Sequence, residues 1–370
     1  MIIGCVREIK EDEYRVGISP ESARALISLG HNVLIEKEAG LGSGFSDHMY
    51  QDVGASIIDN SHDVWRQAQL MVKVKEPLKN EYNDLRENQM LFTYLHLAAD
   101  ETLTKALLDK KVTAIAYETI QYQNQGLPLL KPMSVIAGRL AVQQGAKYLE
   151  KTYGGKGIIL SGVDGANPAE VMIVGTGNVA RNAIYMAYGM GANISVVGTN
   201  TNDLEMILKE YPSRLQIYQA TKENIEMVAM KADLVILSAL VVGSKAPLII
   251  SLKLLKKMQA GAVIVDVSVD QGGCAESTRP TTHRDPVYIE EGIVHYAVSN
   301  MPGCVPRSAS LALNHATLPY IIEIANKGLV TSVLDNEAIY NGVNTYQGHL
   351  VYEAVGHAFG IETQILKEVL

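Results

Sequence analysis

VMIVGTGNVARNAIYMAYGMGANISVVG, residues 171–198, decides how this chain is read. A short apolar run, Val171 to Val174, stops at Gly175-Thr176-Gly177. Helix-compatible residues follow from Asn178 to Met190, and a second apolar run spans Ile194 to Val197. Strand, glycine turn, helix and strand make the βαβ unit that holds a dinucleotide. Gly175 permits the tight turn. Gly177 omits a side chain, so backbone can approach a pyrophosphate. The helix start then offers unpaired N–H groups to it. Two positions depart from the G-x-G-x-x-G fingerprint: the third glycine is Ala180, which the pattern tolerates, and the acid expected after the second strand is Gly198. A doubly wound domain with an empty crevice is the competing reading.

Working outward, apolar runs at 171–174, 194–197, 234–238, 262–267 and 294–298 alternate with helical segments, the pattern of a Rossmann-type domain. Upstream, runs at 2–6, 32–36, 71–75, 90–95 and 114–117 also read as strands, with a helix from Pro20 to Leu29. A long helix over 135–153 follows, and another, Ser310 to Lys327, comes after Pro306. The expected fold is α/β, with two doubly wound parallel-sheet, Rossmann-like domains. Residues 1–130 and 306–370 form a discontinuous catalytic domain, into which the dinucleotide domain, 131–305, is inserted. The loop Gly40-Leu41-Gly42-Ser43-Gly44-Phe45 reads as a mobile connection.

Composition narrows the class. Hydrophobic residues are 47% and charged residues 19% of 370, enough for large cores. A net charge of -8 argues against nucleic acid or an anionic membrane as partner. Cys5, Cys274 and Cys304 are an odd, widely spaced set with neither disulfide nor metal spacing, which fits a reducing cytoplasm and no metal site. The apolar start is too short for a signal peptide. The most apolar window, 234–250, is broken by Gly243, Lys245 and Pro247, so it reads as a buried strand and loop, not a membrane span.

Ligands of open α/β sheets sit beyond the carboxyl ends of strands. The polar residues just past strands are Lys75, His96, Asp270 and Asn300, with Arg15 in the loop before the first helix. Each has an ordinary alternative. Arg15 sits among Glu11, Asp12 and Glu13 as a loop charge would. Lys75 alternates with Lys73 as on a solvated edge, and a lone strand-end histidine is usually structural. Asp266, within its strand, reads as buried and paired, whereas Asp270 opens the glycine-rich loop Asp270-Gln271-Gly272-Gly273. Taken together, these residues fit one chemistry. Removing hydride beside a carboxylate needs a nicotinamide, a cation for the carboxylate, and a group titrating near neutrality for the substrate heteroatom. An imine product also needs a group to activate water.

The chain resembles the L-alanine dehydrogenases. The resemblance rests on Glu8-Ile9-Lys10, Glu13-Tyr14-Arg15-Val16, Gly42-Ser43-Gly44-Phe45, Val74-Lys75-Glu76-Pro77 and Tyr94-Leu95-His96-Leu97. It continues through Ala116-Tyr117-Glu118-Thr119, Pro132-Met133-Ser134, Asp270-Gln271-Gly272-Gly273-Cys274, Pro280-Thr281-Thr282-His283 and Asn300-Met301-Pro302-Gly303. It implies reversible oxidative deamination of L-alanine to pyruvate and ammonium with NAD, by a cytoplasmic homohexamer that acts on small molecules and not on nucleic acid or membrane. Arg15 and Lys75 would bind the substrate carboxylate. His96 would be the general acid/base, and Asp270 would activate water. Ser134, Gly175, Gly177, Asn178, Val179, Gly198, Asp203, Ala220, Ala239, Leu240, Val267, Ser268, Val269, Asp270, Arg279, Val298, Ser299, Asn300 and Met301 would line the dinucleotide site.

Three departures bear on the cofactor. The family usually has an acid at Gly198, more often a base at Asp203, and often Ser at Ala220. No Arg or Lys lies within 198–203 to pair with a 2′-phosphate, so NAD is expected to remain the cofactor, bound more weakly, with Thr199, Asn200 or Asn202 replacing lost ribose contacts. Two rival functions are a transhydrogenase-like nucleotide-binding subunit and a non-catalytic NAD-binding protein. The set Arg15, Lys75, His96 and Asp270 argues against both.

Overall fold

Short apolar runs closed by turn residues become buried parallel strands here, and the amphipathic segments between them become the covering helices. A computed structural model of the protein describes residues 1–123, 126–239 and 245–370. The first elements are β1 (Ile2–Cys5), α1 (Pro20–Ser28), β2 (Asn32–Glu36), α2 (Asp47–Gln51), β3 (Ser56–Ile58), α3 (Ser61–Gln67), β4 (Leu70–Val72), β5 (Met90–Thr93), α4 (Glu101–Asp109) and β6 (Thr113–Ala116). After α5 (Lys131–Tyr148) come β7 (Glu170–Val174), α6 (Asn178–Gly189), β8 (Asn193–Gly198), α7 (Thr201–Glu210), β9 (Leu215–Gln219), α8 (Lys222–Ala229), β10 (Leu234–Leu237), α9 (Leu252–Leu255), β11 (Val263–Asp266), β12 (Val287–Glu290) and β13 (Ile293–Tyr296). The chain ends with α10 (Pro306–Lys327), α11 (Leu329–Asp335), α12 (Glu337–Gly342), β14 (Val343–Tyr346), β15 (His349–Leu350), α13 (Glu353–Phe359) and α14 (Leu366–Val369).

Two units result: Met1–Met133 with Val305–Leu370, and Ser134–Cys304. The first holds a sheet in the order β15-β14-β6-β5-β4-β1-β2-β3, the second one in the order β12-β13-β11-β10-β7-β8-β9. β1 to β6 are parallel, with β14 and β15 antiparallel at one edge. Among the described strands of the second sheet only β12 runs antiparallel. Each sheet therefore reverses its winding beside its first strand, between β1 and β4 and between β7 and β10. That reversal leaves a crevice at the strands' carboxyl ends, where ligands of such sheets bind.

Local sequence explains the elements. Ser19 caps α1 by accepting from the Ser22 N–H, Pro20 fits the first turn, and Gly30 follows at φ 86°. β7 buries all of Val171-Met172-Ile173-Val174, as a central parallel strand must. Trp65, Leu91 and Leu107 anchor one core, and Met172, Val235 and Ile264 another.

Several boundaries differ from the reading of the bare sequence. The alternation over 71–75 reads as a strand, with a solvated edge as the ordinary alternative for its two lysines. β4 instead ends at Val72, and Lys73 is fully buried because Glu8 and Glu81 meet its ammonium. β5 stops at Thr93, and the connecting helix runs from Lys131 to Tyr148. The 40–45 loop is tied down: Leu41–Ser43 forms a 3₁₀ turn, and the buried Ser43 hydroxyl lies 2.8 Å from Ser310 Oγ and 2.9 Å from the Tyr14 carbonyl. Among the described residues, no helix is long and apolar enough to cross a membrane.

Candidate active site

In the first unit, the loops that leave the carboxyl ends of β1, β4 and β5 carry Arg15, Lys75 and His96 in turn. Arg15 is no solvated loop charge, being only 2% exposed. Its Nε donates to Glu13 Oε1 at 2.7 Å, its Nη2 to Glu13 Oε2 at 2.5 Å, and its Nη1 faces the Met133 sulfur at 3.1 Å. Burial works against the guanidinium charge, but Glu13 outweighs it and raises the Arg15 pKa further. The planar fork is thus fixed by a carboxylate of its own chain.

Lys75 is partly buried and makes no ion pair among the described residues. Burial, then the neighbouring Arg15 charge, hold its ammonium below the ordinary value of 10.5. Beneath it lies a buried ion cluster. Lys73 Nζ is 3.2 Å from Glu8 Oε2 and 3.0 Å from Glu81 Oε1. Glu8 Oε1 also accepts the backbone N–H groups of Val74 at 2.6 Å and Lys75 at 3.3 Å. The cluster therefore fixes the backbone from which the Lys75 side chain departs.

His96 follows β5 in the left-handed region, φ 50° and ψ 36°. For a residue other than glycine such a conformation persists only when its surroundings enforce it. Here Glu118 does so: its carboxylate accepts the His96 N–H at 2.6 Å and the Leu95 N–H at 3.1 Å. The imidazole is exposed and makes no hydrogen bond to the described residues. The Tyr94 ring lies nearly parallel at 6.2 Å, its hydroxyl donating to the Leu129 carbonyl at 2.7 Å. Glu8, Glu13, Lys73, Glu81 and Glu118 escaped the sequence reading as participants. Glu8, Glu13 and Glu118 do stand inside motifs of the resemblance, Glu13 in the same one as Arg15, and that was the available signal.

In the second unit the glycine turn lies at the β7/β10 reversal. Gly175 has φ 113°, which only glycine adopts without strain, and a side chain on it would meet Ser238. A Cβ on Gly177 would meet nothing within 4 Å. Gly177 is also the N-cap of the 12-residue α6, with no side chain capping it. Open space before unpaired helix N–H groups is what a pyrophosphate requires, so these residues fit a dinucleotide. Asn178 is exposed and Val179 partly exposed at this helix start.

Other candidate positions of this unit surround β8, β10, β11 and β13. Ala220 follows β9 and donates its N–H to the Gly198 carbonyl at 2.9 Å. Ala239 follows β10, its carbonyl accepting from Ser268 Oγ at 2.8 Å; Leu240 lies outside the described residues. After β11 come Val267, Ser268 and Val269, then an exposed Asp270 in a 3₁₀ turn. Asp266 is buried and receives the N–H groups of Ser268, Cys274 and Ala275 and the Thr278 hydroxyl, which organise that loop; burial raises its pKa. Arg279 is turned onto the Tyr288 ring at 3.8 Å and toward Glu290 at 3.3 Å. Val298 bridges Thr281, Ser299 donates its N–H to the Thr281 carbonyl, and Asn300 has φ 59°. Met301 is buried, and Ser134 lies in α5. Asn200 caps α7 by accepting the Asp203 N–H, so its side-chain oxygen is engaged.

Comparison with known proteins agrees along the chain. Residues 4–137 match the family "Alanine dehydrogenase/PNT, N-terminal domain", and 141–353 match "Alanine dehydrogenase/PNT, C-terminal domain". The alanine dehydrogenase of Methanococcus maripaludis is 48% identical over 359 residues, covering 97% of this chain and 96% of the relative. That of Staphylococcus haemolyticus is 46% identical over 371 residues, covering 100% and 99%. A solved L-alanine dehydrogenase superposes with TM-score 0.95 at 45% identity, covering 97% of this chain and 99% of that one. A transhydrogenase from Sinorhizobium meliloti shares the fold at TM-score 0.82 and 23% identity, covering 96% and 100%. Matched by both domain models and by relatives along its length, the chain belongs to the alanine dehydrogenase family.

Proposed function

We propose that this protein catalyses the reversible oxidative deamination of L-alanine to pyruvate and ammonium, with NAD as its cofactor. The observation that carries the reading is Lys75: a partly buried ammonium beside the Arg15 guanidinium, in no ion pair among the described residues. Burial and like charge make that position favourable for an arriving anion. The substrate carboxylate supplies the anion. Arg15, already forked onto Glu13, would offer its guanidinium charge to the substrate, and Lys75 would add a point charge.

Gly175, Gly177 and the start of α6 would hold the pyrophosphate, and Ser134, Ala239, Leu240, Val267 to Asp270, Arg279 and Val298 to Met301 the remainder of the dinucleotide. When bound, the nicotinamide supplies the hydride acceptor. His96 takes the proton from the substrate amine as the imine forms, and returns one to the heteroatom in the reverse direction. Asp270 orients the water that hydrolyses the imine. The resemblance to the family further supports a cytoplasmic homohexamer, which light scattering would test.

The direct experiment follows NADH consumption with pyruvate and ammonium. Loss of NADH only when both are present is expected; consumption that needs no ammonium would overturn the reading. Two further results are expected. Arg15→Lys loses the fork and raises the KM for pyruvate about tenfold, the equivalent of one charge-assisted hydrogen bond; an unchanged KM would move carboxylate binding elsewhere. The kcat/KM for pyruvate also falls on its alkaline side below the ordinary lysine value of 10.5, because free-enzyme Lys75 loses its proton early. Lys75→Arg, which keeps its charge, shifts that limb upward. A limb identical in the two proteins would exclude Lys75 as its source.

A further inference from the structure

We infer that Asp203, reaching across from α7, is the carboxylate that reads the adenosine ribose and rejects a 2′-phosphate, in place of the acid missing at the end of β8. The inference rests on the reading of this protein as a nicotinamide-dependent enzyme.

In dinucleotide domains the ribose hydroxyls are read by an acid at the end of the second strand. That position here is Gly198, and it is crowded: a Cβ there would lie 2.7 Å from Thr176 Cγ2 and 3.2 Å from Leu204 Cδ2, so Thr176 would have to shift. The residue that fills the space, Thr176, belongs to the glycine turn itself. Its Oγ1 donates to Asp203 Oδ2 at 3.1 Å. Arg181 on α6 completes the arrangement. Its Nε donates to the Thr176 carbonyl at 3.2 Å, and its Nη2 lies 3.6 Å from Asp203 Oδ1. Asp203 is therefore an acid delivered to the glycine turn by a helix. Asn200 fixes its backbone by capping that helix. The carboxylate remains 31% exposed, so it can accept from a diol.

The same geometry accounts for selectivity. Arg181 is a cation at this corner, its Nη1 also 3.9 Å from Glu210 Oε2, and it is the group a 2′-phosphate would seek. Asp203 occupies it and adds a negative charge that repels the phosphate. Removing the Asp203 charge leaves Arg181 with only the longer Glu210 contact and shifts the preference toward NADPH.

The test is direct equilibrium binding of NADH and of NADPH, read by nicotinamide fluorescence without turnover. In Asp203→Asn, the Kd for NADH rises about tenfold, the equivalent of one lost charge-assisted hydrogen bond, while NADPH binds more tightly than to the parent. Adding Arg181→Ala abolishes the NADPH gain. Gly198→Asp weakens NADH binding because Thr176 must move. An unchanged ratio of the two affinities in Asp203→Asn, or an equal weakening of both, would overturn the assignment, as would tighter NADH binding by Gly198→Asp. Turnover of pyruvate and ammonium by the parent is a separate readout. Its absence would remove the proposed reaction, whereas an unchanged affinity ratio beside normal turnover would remove only the role of Asp203.

Discussion

His96→Ala lowers turnover by about 10² to 10⁴-fold, the usual worth of positioned acid–base assistance, while NADH binds as before. The separation of effects follows from where His96 lies. It belongs to the unit that carries Arg15 and Lys75, whereas the glycine turn belongs to the other. The imidazole holds nothing together: it is exposed and without a hydrogen bond to the described residues. The backbone beneath it is fixed by Glu118, which binds two consecutive N–H groups and does not depend on the side chain. Truncation therefore removes a proton carrier and leaves the loop in place. Stopped-flow measurement of the hydride step, with NADH affinity by fluorescence, checks both halves. Turnover near that of the parent would exclude His96 from the reaction.

The second large effect is on stability. Lys73→Ala costs about 3–5 kcal/mol, the range for breaking a buried ion pair from one side. Glu8 and Glu81 would be left as buried carboxylates without their shared cation. Glu8 would also loosen its hold on the Val74 and Lys75 N–H groups, so the KM for pyruvate rises as well. Urea unfolding of the variant measures the loss, and a change below about 1 kcal/mol would show that the cluster is not coupled to folding. The pH dependence has a definite sign. Burial raises the Glu8 pKa despite Lys73, so its contribution is fully present below 4.5 and is lost as pH rises through the raised value. Lys73 is buried too, but Glu8 and then Glu81 raise its pKa above 10.5; its contribution is present below 10.5 and lost above the raised value.

The strands most legible in the sequence were those buried on both faces. β7, β10 and β11 are continuous apolar runs because a central parallel strand meets helices on either side. Of the strands that escaped, all but the interior β14 were edges. β9 reads Leu215-Gln216-Ile217-Tyr218-Gln219, and β12 exposes Ile289, so neither carries a clean apolar signal. β15 has only two residues. Among site residues, those just after strands could be picked out because chain direction alone places them. Their partners could not. Glu13 on Arg15 and Glu118 under His96 are ordinary acids until the fold brings them near. Thr176 and Asp203 are 27 residues apart and meet only because β8 returns the chain to the glycine turn.

The two-pronged attachment of Glu13 to Arg15 also determines when a conformational cost falls due. Arginine is among the side chains that lose most rotamer freedom on being ordered, up to about 2 kcal/mol. In this protein folding itself freezes the guanidinium, so substrate capture at Arg15, as proposed, would not have to. Each rotamer-rich side chain immobilised at binding would otherwise cost about 0.5–1.5 kcal/mol of affinity. A small ligand has few contacts with which to offset such a loss, and a receptor arginine that is already rigid lets nearly all of its contact with a three-carbon acid count toward holding it.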